Sequence, residues 1–313
     1  MKNDFIKKAS IIIPTFNRAH LIGETLESIL AQTYSNWECL IVDDGSTDET
    51  DDLLLKYTIK DERFKYFKRP KNKIKGANAC RNIGLENAMG DYVIFFDSDD
   101  LMTENHLEIK LNAIKKHNCD YIITRTKYFN KDNTQINEYY QFDKHEITPF
   151  NYISQLINWL TYDVFLKTSI AKQIRFNEYL QSGQEYNYFS KLVHYSCNGK
   201  FVDKVVTLRR YHENSVRSQL KIKNNAQVAA FRVNWFTYID LKGVAKEKTL
   251  KFLLIRCVEL VYENKAILIS NKLLFCYEIF KNFKIKGGYF MMMYLILKLF
   301  NKGYFFKRMF LKE

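Results

Sequence analysis

Four short runs in the first hundred residues have the length and the β-branched or aromatic content of strands, and three of them lead straight into a polar cluster. They are Ser10-Ile-Ile-Ile-Pro14, Trp37-Glu-Cys-Leu-Ile-Val42, Phe64-Lys-Tyr-Phe67 and Tyr92-Val-Ile-Phe-Phe96. Between them lie stretches with helical spacing: Leu21 to Gln32, a segment opened by the capping-box pattern Ser46-x-x-Glu49, and Asn78 to Met89, stopped by Gly90. Strand and helix in alternation predict a parallel sheet with helices on both faces, because parallel neighbours need a long crossover. In such sheets ligands bind at the carboxyl ends of the strands. Thr15-Phe16-Asn17, Asp43-Asp44-Gly45-Ser46 and Asp97-Ser98-Asp99-Asp100 all fall at those ends.

The last of these clusters sets three carboxylates at the end of a buried run. Like charges so placed repel one another unless a cation sits among them. Hard oxygen ligands suit Mg²⁺ or Mn²⁺, which take one or two carboxylates together with the phosphates of a substrate. Taken by itself, an Asp-x-Asp is better read as an acidic loop that caps the next helix, and Asp100 is the member placed to do so. Several acids grouped along one sheet edge point instead to a polar, metal-bound ligand. No G-x-G-x-x-G follows a strand and no G-x-x-x-x-G-K-[ST] occurs, so a dinucleotide fold and a phosphate-cradling loop are disfavoured.

With 47% hydrophobic residues among 313, the chain has ample material for a packed core. Its six cysteines are scattered without a C-x-x-C pair, which predicts reduced thiols and a cytoplasmic setting. The polar start predicts no export, and no run of about 18 uncharged apolar residues predicts a spanning helix. The net charge of +13 is uneven. Between Lys281 and Lys312 there are eight basic residues, nine aromatics and no acid. Residues 281–313 therefore read as a segment that lies on an anionic membrane surface, which places the protein peripherally on the inner face of the membrane. A helical layer packed on the body explains the apolar residues but not the one-sided charge. Nucleic-acid recognition motifs are not seen, so no nucleic-acid partner is expected.

Ile-Ile-Ile-Pro14-Thr-Phe-Asn17, Val42-Asp-Asp-Gly-Ser46, Gly76-Ala-Asn-Ala-Cys-Arg81-Asn-Ile-Gly84 and Phe95-Phe-Asp-Ser-Asp-Asp100 together resemble the ordered signature of family 2 glycosyltransferases with the GT-A fold, over roughly residues 9–215. The resemblance implies an α/β fold, a Rossmann-like nucleotide-sugar-binding sheet with flanking helices, over residues 1–220. A helical, basic, aromatic-rich region is expected over 221–313. It implies an inverting transfer from a nucleotide-sugar, most often a UDP-sugar, to a glycan or lipid-linked saccharide in bacterial surface-polysaccharide synthesis, with Mn²⁺ or Mg²⁺.

By the same resemblance Pro14 and Phe16 line the base pocket, and Asp44, with Asp43, accepts from the uracil N–H. Arg81 reaches the nucleotide as a cation. Asp99 is the direct metal ligand and Asp97 lies nearer the ribose, so both belong to the metal site. In Ser182-Gly-Gln-Glu185-Tyr186, Glu185 matches the family's general base, although many relatives carry Glu-Asp where this chain has Glu-Tyr. Leu208-Arg-Arg-Tyr-His212-Glu-Asn-Ser215-Val-Arg217 resembles the family's Tyr-x-x-His-x-x-Ser region. His212 would there complete the metal site or touch the diphosphate, and Arg217 would neutralise phosphate charge. The aromatic region from Phe129 to Phe176, with Trp159, is where an acceptor would stack, unless those rings are core. Two other readings stand beside this one: a haloacid-dehalogenase-like phosphotransferase, which shares Asp-x-Asp after an apolar strand, and a membrane-docked binding protein without activity.

Overall fold

The computed structural model describes residues 7–131, 134–211 and 226–312. They divide into two compact units, one ending at His212 and one beginning at Glu213. In the first unit β1 (Ala9–Thr15), α1 (Ala19–Leu30), β2 (Trp37–Asp43), α2 (Thr50–Lys60), β3 (Phe64–Lys68), α3 (Ala77–Asn87) and β4 (Tyr92–Phe95) form the alternating half. β5 (Leu101–Met102), α4 (His106–His117), β6 (Tyr121–Tyr128), α5 (Pro149–Ile153), β7 (Val164–Lys167), α6 (Thr168–Ala171), α7 (Gln184–Tyr195) and β8 (Gly199–Arg209) complete it.

All the strands share one sheet in the order β3-β2-β1-β4-β7-β6-β8-β5. The β3-β2-β1-β4 half is parallel, as the alternating sequence predicts. From β7 onward the sheet is mixed: β7 runs antiparallel to β4 and β6, β8 parallel to β6, and β5 antiparallel to β8. β1 and β2 are buried along their whole length, which is why they read as nearly continuous apolar runs. Gly84 lets α3 lie directly on β1, since a Cβ there would stand 2.4 Å from Ile12 Cγ2.

Two expected helix starts are corrected. α2 begins at Thr50 with no side-chain cap from Ser46. The Ser46 hydroxyl is occupied elsewhere, accepting from Asn17 N at 2.8 Å and donating to Asp43, so it ties two loops together instead. Asp100 does not cap α4. It precedes the short β5, and its carboxylate accepts from the Arg210 main-chain N–H at 2.7 Å.

β2 also buries Glu38 completely, opposite Ser10 in the register. Its carboxylate accepts from Ser10 Oγ, Met89 N and Lys65 Nζ, each at 2.7 Å, and Lys8 Nζ stands 3.2 Å away. Burial alone would push this carboxyl up, but those donors outweigh it and hold the pKa at about 2. A carboxyl depressed on folding contributes stability above its unfolded value and loses it as pH falls toward the folded one. Glu38 should therefore cost the fold about 3 kcal/mol between about pH 4.5 and 2. Urea unfolding followed across that window should show a flatter pH dependence for Glu38→Gln than for the wild type, and equal slopes would contradict the assignment.

The second unit consists, among the described residues, of helices Ala226–Leu241, Glu247–Glu263, Lys272–Phe283, Lys286–Phe300 and Tyr304–Leu311. Trp235, Phe275 and Phe290 pack at its centre, with ring centroids 4.9 and 5.5 Å apart in succession. Buried Glu278 accepts from the Tyr238 hydroxyl at 2.6 Å and from Lys242 at 3.2 Å. No helix of the described residues is long and apolar enough to cross a membrane. The six cysteines are free thiols.

Candidate active site at the carboxyl edge of the sheet

Pro14 lies beyond the last residue of β1 that pairs with β4, where the two strands diverge. The chain then turns through Asn17, which takes a left-handed φ of 51°. Asn17 and the loop after β2 clasp each other: Asn17 N donates to Ser46 Oγ, and Thr47 N donates to Asn17 Oδ1 at 2.8 Å. Phe16 projects from this clasp, 39% exposed, with the Lys75 ammonium 4.1 Å from its ring centroid.

Asp43 and Asp44 have separate fates. Asp43 is buried and accepts from Gly45 N at 3.1 Å, Ser46 N at 2.9 Å and the Ser46 hydroxyl, so its carboxylate shapes the loop. Asp44 Oδ1 pairs with Arg69 and accepts from Gly76 N at 3.1 Å. Its Oδ2 takes no hydrogen bond among the described residues. Gly76 has a φ of 141°, a conformation that favours glycine, and a Cβ there would stand 3.3 Å from Gln181.

Arg81, on the buried face of α3, joins two parts of the site. It donates to Asp97 Oδ1 at 2.9 Å and to Gln184 Oε1 at 2.7 Å, and its guanidinium lies 5.3 Å from the Phe176 ring centroid. Asn78 and Asn82 lie on the same helix. Asn78 donates to the carbonyls of Asn177 at 2.7 Å and Leu180 at 3.1 Å; Asn82 donates to the Phe176 carbonyl at 3.0 Å and accepts from Phe176 N at 2.9 Å. Three polar residues of one helix thus hold the loop that leads to Glu185. Their i, i+3, i+4 spacing was visible in the sequence, but only Arg81 is singled out there.

Glu185 sits in the first turn of α7, partly exposed, after Gly183 with its φ of 62°. Among the described residues its carboxylate has no hydrogen-bond or ion-pair partner. Tyr186, where relatives of the resembled family often carry Asp, donates its hydroxyl to the Ile153 carbonyl at 2.8 Å and serves packing.

Asp97 and Asp99 are part-exposed, with 35% and 22% of their side chains open. Arg18 Nε stands 3.9 Å from Asp99 Oδ2. Asp100 points inward. Burial first, and then the charges of Asp99 and Asp97, push its carboxyl well above the usual range. No group of three or more His, Cys, Asp or Glu side chains among the described residues is arranged as a protein-only metal cage. Two open carboxylates beside a third whose ionisation they oppose is instead the donor set that suits Mg²⁺ or Mn²⁺ completed by phosphates and water. The residues present therefore fit such an ion.

β8 ends in Arg209, and Arg210 follows it. Burial opposes the charge of Arg209, but Tyr162, Tyr128, Asp100 and Asp97 favour it and raise its pKa. Arg210 donates to the Asp99 carbonyl at 3.2 Å and to Glu24 at 2.7 Å. Arg69 and Lys75 were not singled out in the sequence, because isolated polar residues carry no local pattern; Gln184 and Arg209 lie inside motifs quoted there but were given no role. His212 and Arg217 lie outside the described residues. Trp159 is 1% exposed and packs on Tyr152 with centroids 4.3 Å apart, so it belongs to the core and is not free to stack on an acceptor.

The model of the family described as "Glycosyl transferase family 2" matches residues 10–179. An uncharacterized glycosyltransferase of Rickettsia felis is 43% identical over 121 residues, 39% of this chain and 19% of that protein. The Escherichia coli UDP-Glc:alpha-D-GlcNAc-diphosphoundecaprenol beta-1,3-glucosyltransferase WfgD is 36% identical over 123 residues, 39% of this chain and 47% of that one. The chain thus spans from about a fifth to about half of these relatives. Among solved structures, Staphylococcus aureus TarS 1-349 in complex with UDP-GlcNAc superimposes with a TM-score of 0.68 at 20% identity, covering 96% of this chain and 88% of that one. The mannosyltransferase PcManGT from Pyrobaculum calidifontis, in complex with GDP-Man and Mn²⁺, gives a TM-score of 0.59 at 14% identity, covering 96% and 89%. At those identities the likeness is one of fold. The family match sets aside the haloacid-dehalogenase reading of Asp97-x-Asp99. With more than half of its length matched by the family's sequence model, and with the GT-A fold, this protein belongs to glycosyl transferase family 2.

Proposed function

We propose that the chain is an inverting, metal-dependent glycosyltransferase that moves a sugar from a UDP-sugar to a saccharide or lipid-linked saccharide acceptor in surface-polysaccharide synthesis. The observation that carries this reading is the convergence of Asp44, Asp97, Asp99 and Glu185 at one sheet edge, linked through Gly76 and Arg81. The relatives named above support the choice of donor and acceptor class.

In this reading Pro14 and Phe16 flank the base, and Asp44, oriented by Arg69, offers its remaining oxygen to the uracil N–H. That charge-assisted bond favours a base with a donor at that position. Asp43 acts indirectly, by shaping the loop. Asp97 and Asp99 hold Mn²⁺ or Mg²⁺, which when bound supplies Lewis-acid stabilisation to the departing diphosphate. Arg81 fixes Asp97 and the start of α7. Glu185 takes the proton of the acceptor hydroxyl as the new C1–O bond forms and the bond from C1 to the phosphate oxygen breaks, in a single in-line displacement. Roles for His212 at the metal and Arg217 at the diphosphate belong to the same reading.

Thermal-shift measurements with UDP-, GDP- and dTDP-sugars, with and without Mn²⁺, test it. Ligand at 100 times its Kd stabilises the native state by about 2.7 kcal/mol. The largest rise in melting temperature is expected for a UDP-sugar with Mn²⁺. No rise with any nucleotide-sugar would end the proposal, and binding without turnover would leave the inactive binding protein.

The reading includes an anionic membrane surface for residues 281–313. In helix Lys286–Phe300, Gly287, Phe290, Met293 and Leu297 face the interior. Met292, Leu295 and Leu299 lie on another face and are 44%, 52% and 64% exposed. Packing within the unit accounts for the first stripe only. The second, on a helix with Lys298 in its last turn and Lys284 and Lys302 just beyond its two ends, matches the apolar and anionic layers of a bilayer interface. Lysines near such a surface contribute about 1 kcal/mol each. Reversing Lys281, Lys284 and Lys302 to Glu should lower co-sedimentation with phosphatidylglycerol vesicles at least tenfold, and unaltered sedimentation would refute the docking.

A further inference from the structure

The loop that carries Asp97 and Asp99 is held at its main chain by donors from distant parts of the first unit. The Thr25 hydroxyl, buried on α1, donates to the Asp100 carbonyl at 2.9 Å. The Asp99 carbonyl accepts from Arg210 Nε at 3.2 Å, and Asp100 Oδ1 accepts from Arg210 N at 2.7 Å. The Arg210 side chain is 16% exposed; its Nη2 donates to Glu24 Oε2 on α1 at 2.7 Å, and its guanidinium lies 4.9 Å from the ring centroid of Phe129, the residue after β6. Arg210 therefore joins α1, the loop after β4 and the end of β6.

Any residue but proline would supply the main-chain N–H. The two side-chain bonds are another matter. Nε and Nη2 lie on one edge of a planar guanidinium, so a single rigid group spans the Asp99 carbonyl and the Glu24 carboxylate. A lysine ammonium brings the same charge without that edge. Fixing the Asp99 peptide against α1 also fixes the direction in which its side chain, 22% exposed, leaves the backbone.

We propose that Arg210 is a positioning residue for the metal ligands: by holding the Asp99 carbonyl it sets where Asp99 presents its carboxylate to Mn²⁺ or Mg²⁺. The inference rests on the reading of Asp99 as a metal ligand. Positioning differs from a charge effect in sign. A cation beside a metal site opposes the metal, so removal of the charge alone tightens metal binding. Removal of a bond that orients a ligand loosens it.

The test compares Arg210→Met, Arg210→Lys and Glu24→Asp with the wild type, all as the full chain. Mn²⁺ uptake in the presence of UDP is followed by electron paramagnetic resonance of the free ion, UDP affinity without metal by calorimetry, and stability by melting temperature. Both Arg210 variants are expected to bind Mn²⁺ about 10–100-fold more weakly, the range for residues that orient a metal ligand. Their metal-free UDP affinity should stay close to that of the wild type. Glu24, with 59% of its side chain exposed, tolerates a shorter carboxylate; in Glu24→Asp the charge is kept but the outer anchor of the guanidinium is drawn back, and Mn²⁺ binding should weaken about two- to fivefold. Tighter Mn²⁺ binding in Arg210→Met with wild-type binding in Arg210→Lys would reveal a charge effect and overturn the proposal. Unaltered Mn²⁺ affinity in both, or an equal loss of metal-free UDP affinity, would overturn it too. If the Arg210 variants lose cooperative melting, Glu24→Asp decides, and wild-type Mn²⁺ affinity there refutes the positioning role. If the wild type itself takes up no Mn²⁺ with UDP, the metal-site reading falls and this inference falls with it.

Discussion

Glu185→Gln should lower sugar transfer by about 10²–10⁴-fold, the range general-base catalysis supplies, while leaving UDP-sugar affinity within about twofold of wild type. Glutamine keeps the volume and polarity of the side chain but cannot accept the acceptor's proton at neutral pH. The loss should therefore appear in kcat, because in the proposed site other residues hold the donor. Two structural features make the substitution clean. Glu185 carries no hydrogen bond or ion pair to its carboxylate among the described residues, so no partner is stranded. The start of α7 is fixed independently, by Arg81 on Gln184 and by Asn78 and Asn82 on the preceding loop. Equal turnover would remove Glu185 from the mechanism. A fall in donor affinity as large as the fall in rate would recast it as a binding residue.

Asp99→Asn should act on a different quantity. The substitution keeps shape but removes one ligand charge. Residues that merely orient a ligand cost about 10–100-fold in metal affinity or activity when changed. Loss of a ligand charge is expected to exceed that, weakening Mn²⁺-dependent UDP-sugar binding by more than about 100-fold. Binding of UDP without metal should change little, because the base contacts proposed above lie at the ends of β1 and β2. Calorimetric titration with and without Mn²⁺ separates the two quantities. Unaltered metal dependence in Asp99→Asn would exclude the residue as a ligand, and Asp97→Asn would then be the next test. That second variant also frees Arg81, whose pair with Asp97 is 2.9 Å long, so its effect would reach α7 as well.

The parallel half of the sheet was legible because three of its four strands are short runs closed by a polar cluster, and periodicity is a local property. The mixed half was not. β5 is two residues long, and β6 to β8 pair across wide separations that no local pattern encodes. The capping-box reading of Ser46 failed for a related reason: a hydroxyl that fits a helix cap equally fits a bond to a distant loop, and Asn17 supplied one. The same limit governs the site. Asp44, Asp97, Asp99, Arg81 and Glu185 were marked by ordered motifs, whereas Arg69 is a single residue whose partner, Asp44, comes from elsewhere in the chain.

The sequence alone determined which strands alternate with which helices, where the carboxylates fall at strand ends, and which family the chain resembles, because these rest on spacing along the backbone. Tertiary structure decided that Asp43 turns inward while Asp44 keeps one oxygen without a hydrogen bond among the described residues, that α3 grips the loop bearing Glu185, and that Trp159 is core. Those outcomes depend on which donor meets which acceptor after long-range packing. Side chains separated by a hundred residues become hydrogen-bonded neighbours only when the sheet has closed around them.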